Sequence, residues 1–104
     1  MRGHVPLTEF QKSFARAGHA HAGVLVILSL VGLLVVDAAG LSGFWATVGR
    51  LGIPIAAILM PAGFFASSAG KDVNQPNRAI IVLWLGALSL AIGALTLGIG
   101  LLAA

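Results

Sequence analysis

Uncharged runs alternate with two short polar stretches along this chain, and the runs are helix-length. They cover residues 17–36, 51–70 and 79–104. At 1.5 Å per residue each is long enough to cross a hydrocarbon core of about 30 Å. The predicted spans lie at roughly residues 17–38, 51–70 and 79–102, which makes the chain an all-α integral membrane three-helix bundle in a single domain, 1–104. The first run carries histidines at its mouth, in Gly18-His19-Ala20-His21-Ala22-Gly23. Between them and Asp37, residues 22–36 reach only about 22 Å as a helix, short of about 30 Å of hydrocarbon. An ionisable group therefore sits at or inside one membrane margin, and such a group marks a candidate functional site.

Ahead of the first span, Pro6-Leu7-Thr8-Glu9-Phe10-Gln11 matches a capping box, with Thr8 as N-cap, Gln11 at N3 and Glu9 in the first turn. Helix 1 is expected to start near Glu9. Phe10, Phe14, Ala17 and Gly18 share one side and Lys12 and Arg16 another, so an amphipathic N-terminal segment extends helix 1 along the interface and feeds into the span. Between spans 1 and 2, Gly40, Ser42 and Gly43 predict a turn, with Phe44 and Trp45 anchoring it at the bilayer surface. The other loop, residues 70–78, is the most polar stretch.

Small residues recur every seven positions. Gly49, Ala56, Gly63 and Gly70 line helix 2, and Ala79, Gly86, Gly93 and Gly100 line helix 3 beside Leu83, Leu90 and Leu97. Such stripes let backbones approach closely, and the seven-residue period predicts left-handed crossing. Three helices cannot use every small face on one another, so a homo-oligomer or docking into a larger membrane complex is expected. Pro54 is read as lying in the first turn or so of helix 2, where proline is tolerated. Pro61, near mid-membrane, releases the carbonyl of Ala57 and predicts a kink.

Composition agrees with the pattern: 59% of the 104 residues are hydrophobic, 9% are charged, and the mean hydropathy is +1.04. The pI near 10.8 rests on six Lys and Arg against three acids, which read as topology signals and not as a nucleic-acid face. Arg2, Lys12, Arg16, Lys71 and Arg78 fall on one side of a three-span arrangement and Arg50 alone on the other. That bias predicts a cytoplasmic N-terminus and an outer C-terminus in a bacterial inner (plasma) membrane. No cleavage pattern follows the first apolar run, so span 1 is expected to stay as a signal anchor. The chain has no cysteine, which excludes disulfides and thiolate metal sites.

His19 and His21 are the candidate metal or cofactor ligands. Two positions apart, they project about 200° from one another on a helix and cannot both chelate one ion from a single regular helix. One inward imidazole could ligate haem iron or a transition metal such as copper, iron or zinc; an oligomer could bring both to shared centres. At the same depth the sequence puts Ser67 and Ser68 at the end of helix 2 and Asn77 and Arg78 at the start of helix 3. Asp72, Asn74 and Asn77 are the candidate supporting residues, as acceptors for the second imidazole N–H or as direct ligands, with Ser68 as a further candidate acceptor; the alternative is a solvated loop with helix caps at Asn74 or Asn77. Met60 is expected about two turns deeper, which disfavours a His/Met haem pair. Asp37 is expected at the outer surface near Arg50, Trp84 in the inner half of helix 3, and His4 outside the site. No Ser-His-Asp order, phosphate loop, paired carboxylates or dinucleotide motif is present.

Arg16-Ala17-Gly18-His19-Ala20-His21-Ala22-Gly23-Val24-Leu25, Met60-Pro61-Ala62-Gly63-Phe64-Phe65 and Pro76-Asn77-Arg78 together resemble a group of small three-span bacterial membrane proteins, over nearly the whole chain. The His-Ala-His helix start is also similar, over those few residues, to span starts of haem-copper oxidase-like and NnrS-like membrane proteins. That resemblance implies haem or copper at His19 and His21 and carries over no other ligand. The leading expectation is thus a small oligomeric membrane protein binding a metal or haem for redox or small-ligand chemistry. The alternatives are a non-catalytic accessory subunit of a larger membrane complex and, third, a proton or ion conduit gated by imidazoles that change charge near neutral pH.

Overall fold

The computed structural model describes residues 7–104, so Arg2 and His4 lie outside the described residues. Three helices follow in order: α1 (Glu9–Ala39), α2 (Gly43–Ser67) and α3 (Ile80–Ala103). Each is long and apolar enough to cross a membrane. α2 lies between the other two, which pack chiefly on it and less on each other. The long dimension of the molecule is 54 Å.

α1 begins where the capping box predicts. Thr8 Oγ1 accepts from Gln11 N at 3.1 Å and Gln11 Oε1 accepts from Thr8 N at 3.0 Å. Thirty-one residues then run without a break, so the amphipathic segment and the span form one helix. It ends in a Schellman turn: Gly40 adopts φ 68, its N–H bonds to Asp37 O, and Leu41 N bonds to Val36 O. Glycine suits this position because a Cβ is strained at positive φ.

α2 starts at Gly43, well before the expected residue 51, and ends at Ser67 short of residue 70. Phe44, Trp45 and Arg50 are therefore helical, and only residues 40–42 form the turn. The charge at Arg50 shortened the apolar run without ending the helix, because a long guanidinium stem can lie along an apolar surface and reach outward. Pro54 consequently lies in the helix interior, not its first turn, and α2 continues through both Pro54 and Pro61.

Buried positions repeat every seven residues in all three helices: Gln11, Gly18, Leu25 and Gly32; Gly49, Ala56 and Gly63; Gly86, Gly93 and Gly100. The predicted rows on α2 and α3 are real inside the helices. Gly70 falls in the loop at φ 122, and Ala79 is the residue before α3. At Gly52, Gly63 and Gly93 the contact is backbone to backbone, whereas Gly49 and Gly100 meet side chains of Val36, Leu97 and Leu41. A Cβ on Gly52 would lie 2.5 Å from Gly93 Cα, and one on Gly63 would lie 2.4 Å from Leu83 N. Ser89 Oγ adds a 2.7 Å hydrogen bond to Gly52 O across the same contact. These small faces are used within the chain, and the expected oligomer draws no support from them. Outside the contacts, large side chains such as Leu34, Ile58, Ile81 and Leu95 are exposed, which in this protein is the surface that lipid covers.

Candidate functional site at the histidine margin

The histidines are placed by a polar clasp that neither helix builds alone. Gln11 is buried, and its Nε2 donates to Ser68 O at 2.9 Å and to Gly70 O at 2.8 Å. The Thr8 hydroxyl donates to Val73 O. α1 is thereby tied to the end of α2 and to the loop that follows. The register set by this clasp presses Gly18 against α2, where an added Cβ would lie 2.9 Å from the Phe65 ring and 3.3 Å from Phe64 Cβ.

His19 and His21 follow Gly18 by one and three positions, so they flank that contact at about +100° and −60° around α1. Each meets a different phenylalanine. The exposed His19 ring stands edge-on to Phe65 with centroids 6.0 Å apart, and the half-buried His21 ring lies 4.9 Å from Phe64. Phe64 in turn packs at 5.1 Å on Phe14, and Phe14 at 4.3 Å on Phe10. His21 thus ends a row of aromatic rings that joins α1 to α2. Its Nδ1 lies 2.7 Å from Ala17 O. A carbonyl can only accept, so Nδ1 carries a proton, and in its neutral form the ring presents the lone pair of Nε2. Sequence reasoning foresaw the opposed directions of the two imidazoles but not this difference between them.

The depth expectation needs correction. The histidines are level with Phe64 and Phe65, not with Ser67, Ser68 and Asn77, so they sit roughly a turn further into the span. Met60 is then about one turn from them, not two. It is no partner, because it is buried against Gly86 on α3. From Arg16 to Asp37 α1 rises about 32 Å, matching a hydrocarbon core of about 30 Å. With those two residues at the margins, His19 and His21 lie about 5 and 8 Å inside.

The supporting residues are engaged elsewhere. Ser68 Oγ donates to Phe64 O at 2.8 Å. Asn77 ties the loop at both ends: its Nδ2 donates to Ala66 O at 3.0 Å near the end of α2, and its Oδ1 accepts from Ala79 N at 2.8 Å, the residue before α3. Asp72 is exposed in the loop at φ 55, between the residues that contact Gln11 and Thr8, about 12–15 Å of helix rise from the histidines. Among the described residues no three His, Cys, Asp or Glu side chains gather where they could hold a metal ion. Asp37 and Arg50 are both exposed and form no ion pair; the one pair among the described residues is Lys12 with Glu9 at 3.7 Å. Two apolar grooves of about 520 and 510 Å³ lie along α2 and α3, and neither includes a histidine.

No protein family, curated protein or solved structure matches the chain. The residues of this margin are thus the basis for any functional reading.

Proposed function

We propose that this small three-span membrane protein presents the His21 imidazole as a ligand for haem or for a transition metal, copper, iron or zinc. The reading rests on the 2.7 Å contact from His21 Nδ1 to Ala17 O. Metals take the neutral imidazole nitrogen, and a ligating histidine commonly gives its other N–H to a carbonyl. Nε2 of His21 is the free donor, beside the Phe64 ring and inside the membrane margin. Haem or a redox metal held there would supply redox or small-ligand chemistry. One imidazole fills one coordination position, so the remaining ligands come from a second copy or a partner subunit. His19, exposed on the other flank, is the weaker ligand.

Protein purified from its native membrane without chelator should show a haem band or stoichiometric metal. His21→Ala should remove it and His19→Ala should keep most of it. Equal loss in both variants would replace this reading with shared centres, and a wild type free of haem and metal would end it.

That last outcome favours the accessory-subunit reading, which has its own support on α3. Nothing lies within 4 Å of a Cβ built on Gly98, and Ala91 and Ala94 are exposed near it. A partner's helix can approach such a stripe closely.

A further inference from the structure

The end of the molecule where α1 begins and α2 ends carries Lys12, Arg16, Lys71 and Arg78, all exposed, against Glu9 and Asp72. The other end has Asp37 and Arg50. Lys12 is paired with Glu9, which leaves Arg16, Lys71 and Arg78 without an ion pair among the described residues. The fold brings the two arginines to one level. Asn77 N donates to Ser67 O at 2.9 Å, so Arg78 stands beside the end of α2. Arg16 lies two residues, about 3 Å of rise, from Gly18, which packs on Phe64 and Phe65 near that same end.

A helix C-terminus is a negative pole and would repel an anion at this level. Here its carbonyls are covered: Ala66 and Ser67 O accept from Asn77, and Ser68 and Gly70 O accept from Gln11. The cations face outward around a neutralised centre. Toward mid-membrane from Arg78, Ile81 and Trp84 are exposed on α3, with Trp84 about 9 Å along the helix, inside the margin that Arg16 and Arg78 mark.

We propose that this margin binds the phosphodiester headgroups of anionic phospholipids in the adjoining leaflet, with Arg16, Lys71 and Arg78 as the phosphate contacts. Guanidinium forks suit phosphate oxygens. Lipid is the occupant in preference to free phosphate because Ile81 and Trp84, on the membrane side of Arg78 along α3, offer apolar surface to the attached chains. The surface is separate from the His21 reading and stands whatever the histidines bind.

The chain has two tryptophans, Trp45 and Trp84, in opposite halves of the bundle, so each can report alone. The full chain carrying Trp45→Phe is reconstituted in phosphatidylcholine vesicles that contain brominated phosphatidylglycerol or, at equal mole fraction, brominated phosphatidylcholine. Brominated phosphatidylglycerol should quench Trp84 more strongly. The preference should fall as salt rises, and by about fivefold per cation removed in Arg16→Gln, Lys71→Gln and Arg78→Gln. Arg16→Lys with Arg78→Lys should keep most of it. Trp84→Phe, which leaves Trp45 as the reporter, should show a weaker preference. Inorganic phosphate should do no more than chloride at equal ionic strength. Equal quenching by the two lipids, equal preference at both tryptophans, or insensitivity to the charge removals would overturn the proposal. Loss to phosphate alone would also overturn it, by identifying a free-anion site. If the glutamine variants do not fold, the salt series and the comparison of the two tryptophans decide it.

Discussion

The Gln11 amide is satisfied on both sides: Oε1 accepts from Thr8 N, and Nε2 donates to Ser68 O and Gly70 O. The capping-box half of that role is legible in the sequence because its partner is three residues away. The other half is not, since the acceptors lie 57 and 59 positions further along. Gln11→Leu should strand two carbonyls at the end of α2 and cost about 1–3 kcal/mol of stability. Thermal unfolding in mild detergent checks this, and an unchanged midpoint would mean that water replaces the clasp. Thr8→Ala should cost about 0.5–2 kcal/mol through the lost N-cap. At the same scale, the opposed projection of His19 and His21 follows from helix geometry alone. Which of the two turns toward Phe64 with Nδ1 bonded depends on the face that Gly18 presents to α2, and that is a packing outcome.

At the scale of the helices, the glycines of α2 and α3 differ in what surrounds them. Gly63 and Gly93 face backbone, where even a methyl group has no room; Gly98 faces open space. Gly63→Ala and Gly93→Ala should therefore destabilise the bundle by about 1–3 kcal/mol through overpacking. Gly98→Ala should instead be neutral or stabilising by up to about 1 kcal/mol, because alanine favours the helix. Ile92→Leu, at an exposed position, should be nearly silent. Unfolding of the four variants side by side tests the signs, and equal losses at Gly63 and Gly98 would contradict the packing described. The rows were readable as rows, but the period could not say whether they met within one chain or between copies. The early start of α2 was not readable either: Arg50 ended the apolar run in sequence, whereas a helix continues past a charge whose stem can reach the surface.

For the whole molecule, three spans put the two ends of the chain on opposite sides of the membrane. A periplasm-active reporter fused after Arg78 should be silent and one fused at Ala104 active, given the cations Arg2, Lys12, Arg16, Lys71 and Arg78 on one side and Arg50 on the other. The opposite pattern would invert the orientation. It would leave the bundle itself untouched, because internal packing does not depend on which leaflet is which.

By itself the sequence determined the membrane setting, the number of helices, the start of α1 and the stripes along which helices approach. Each of these depends on hydropathy, helical period or a cap within a few residues, and such properties survive without knowledge of the partner surface. Tertiary structure decided the level of the histidines against Phe64 and Phe65 and the separation of Asp72 from them. It also decided that the glycine rows close within one chain. These are relations between segments far apart in sequence, set by which residues interlock when backbones come within a methyl group's width, and no local pattern encodes that choice.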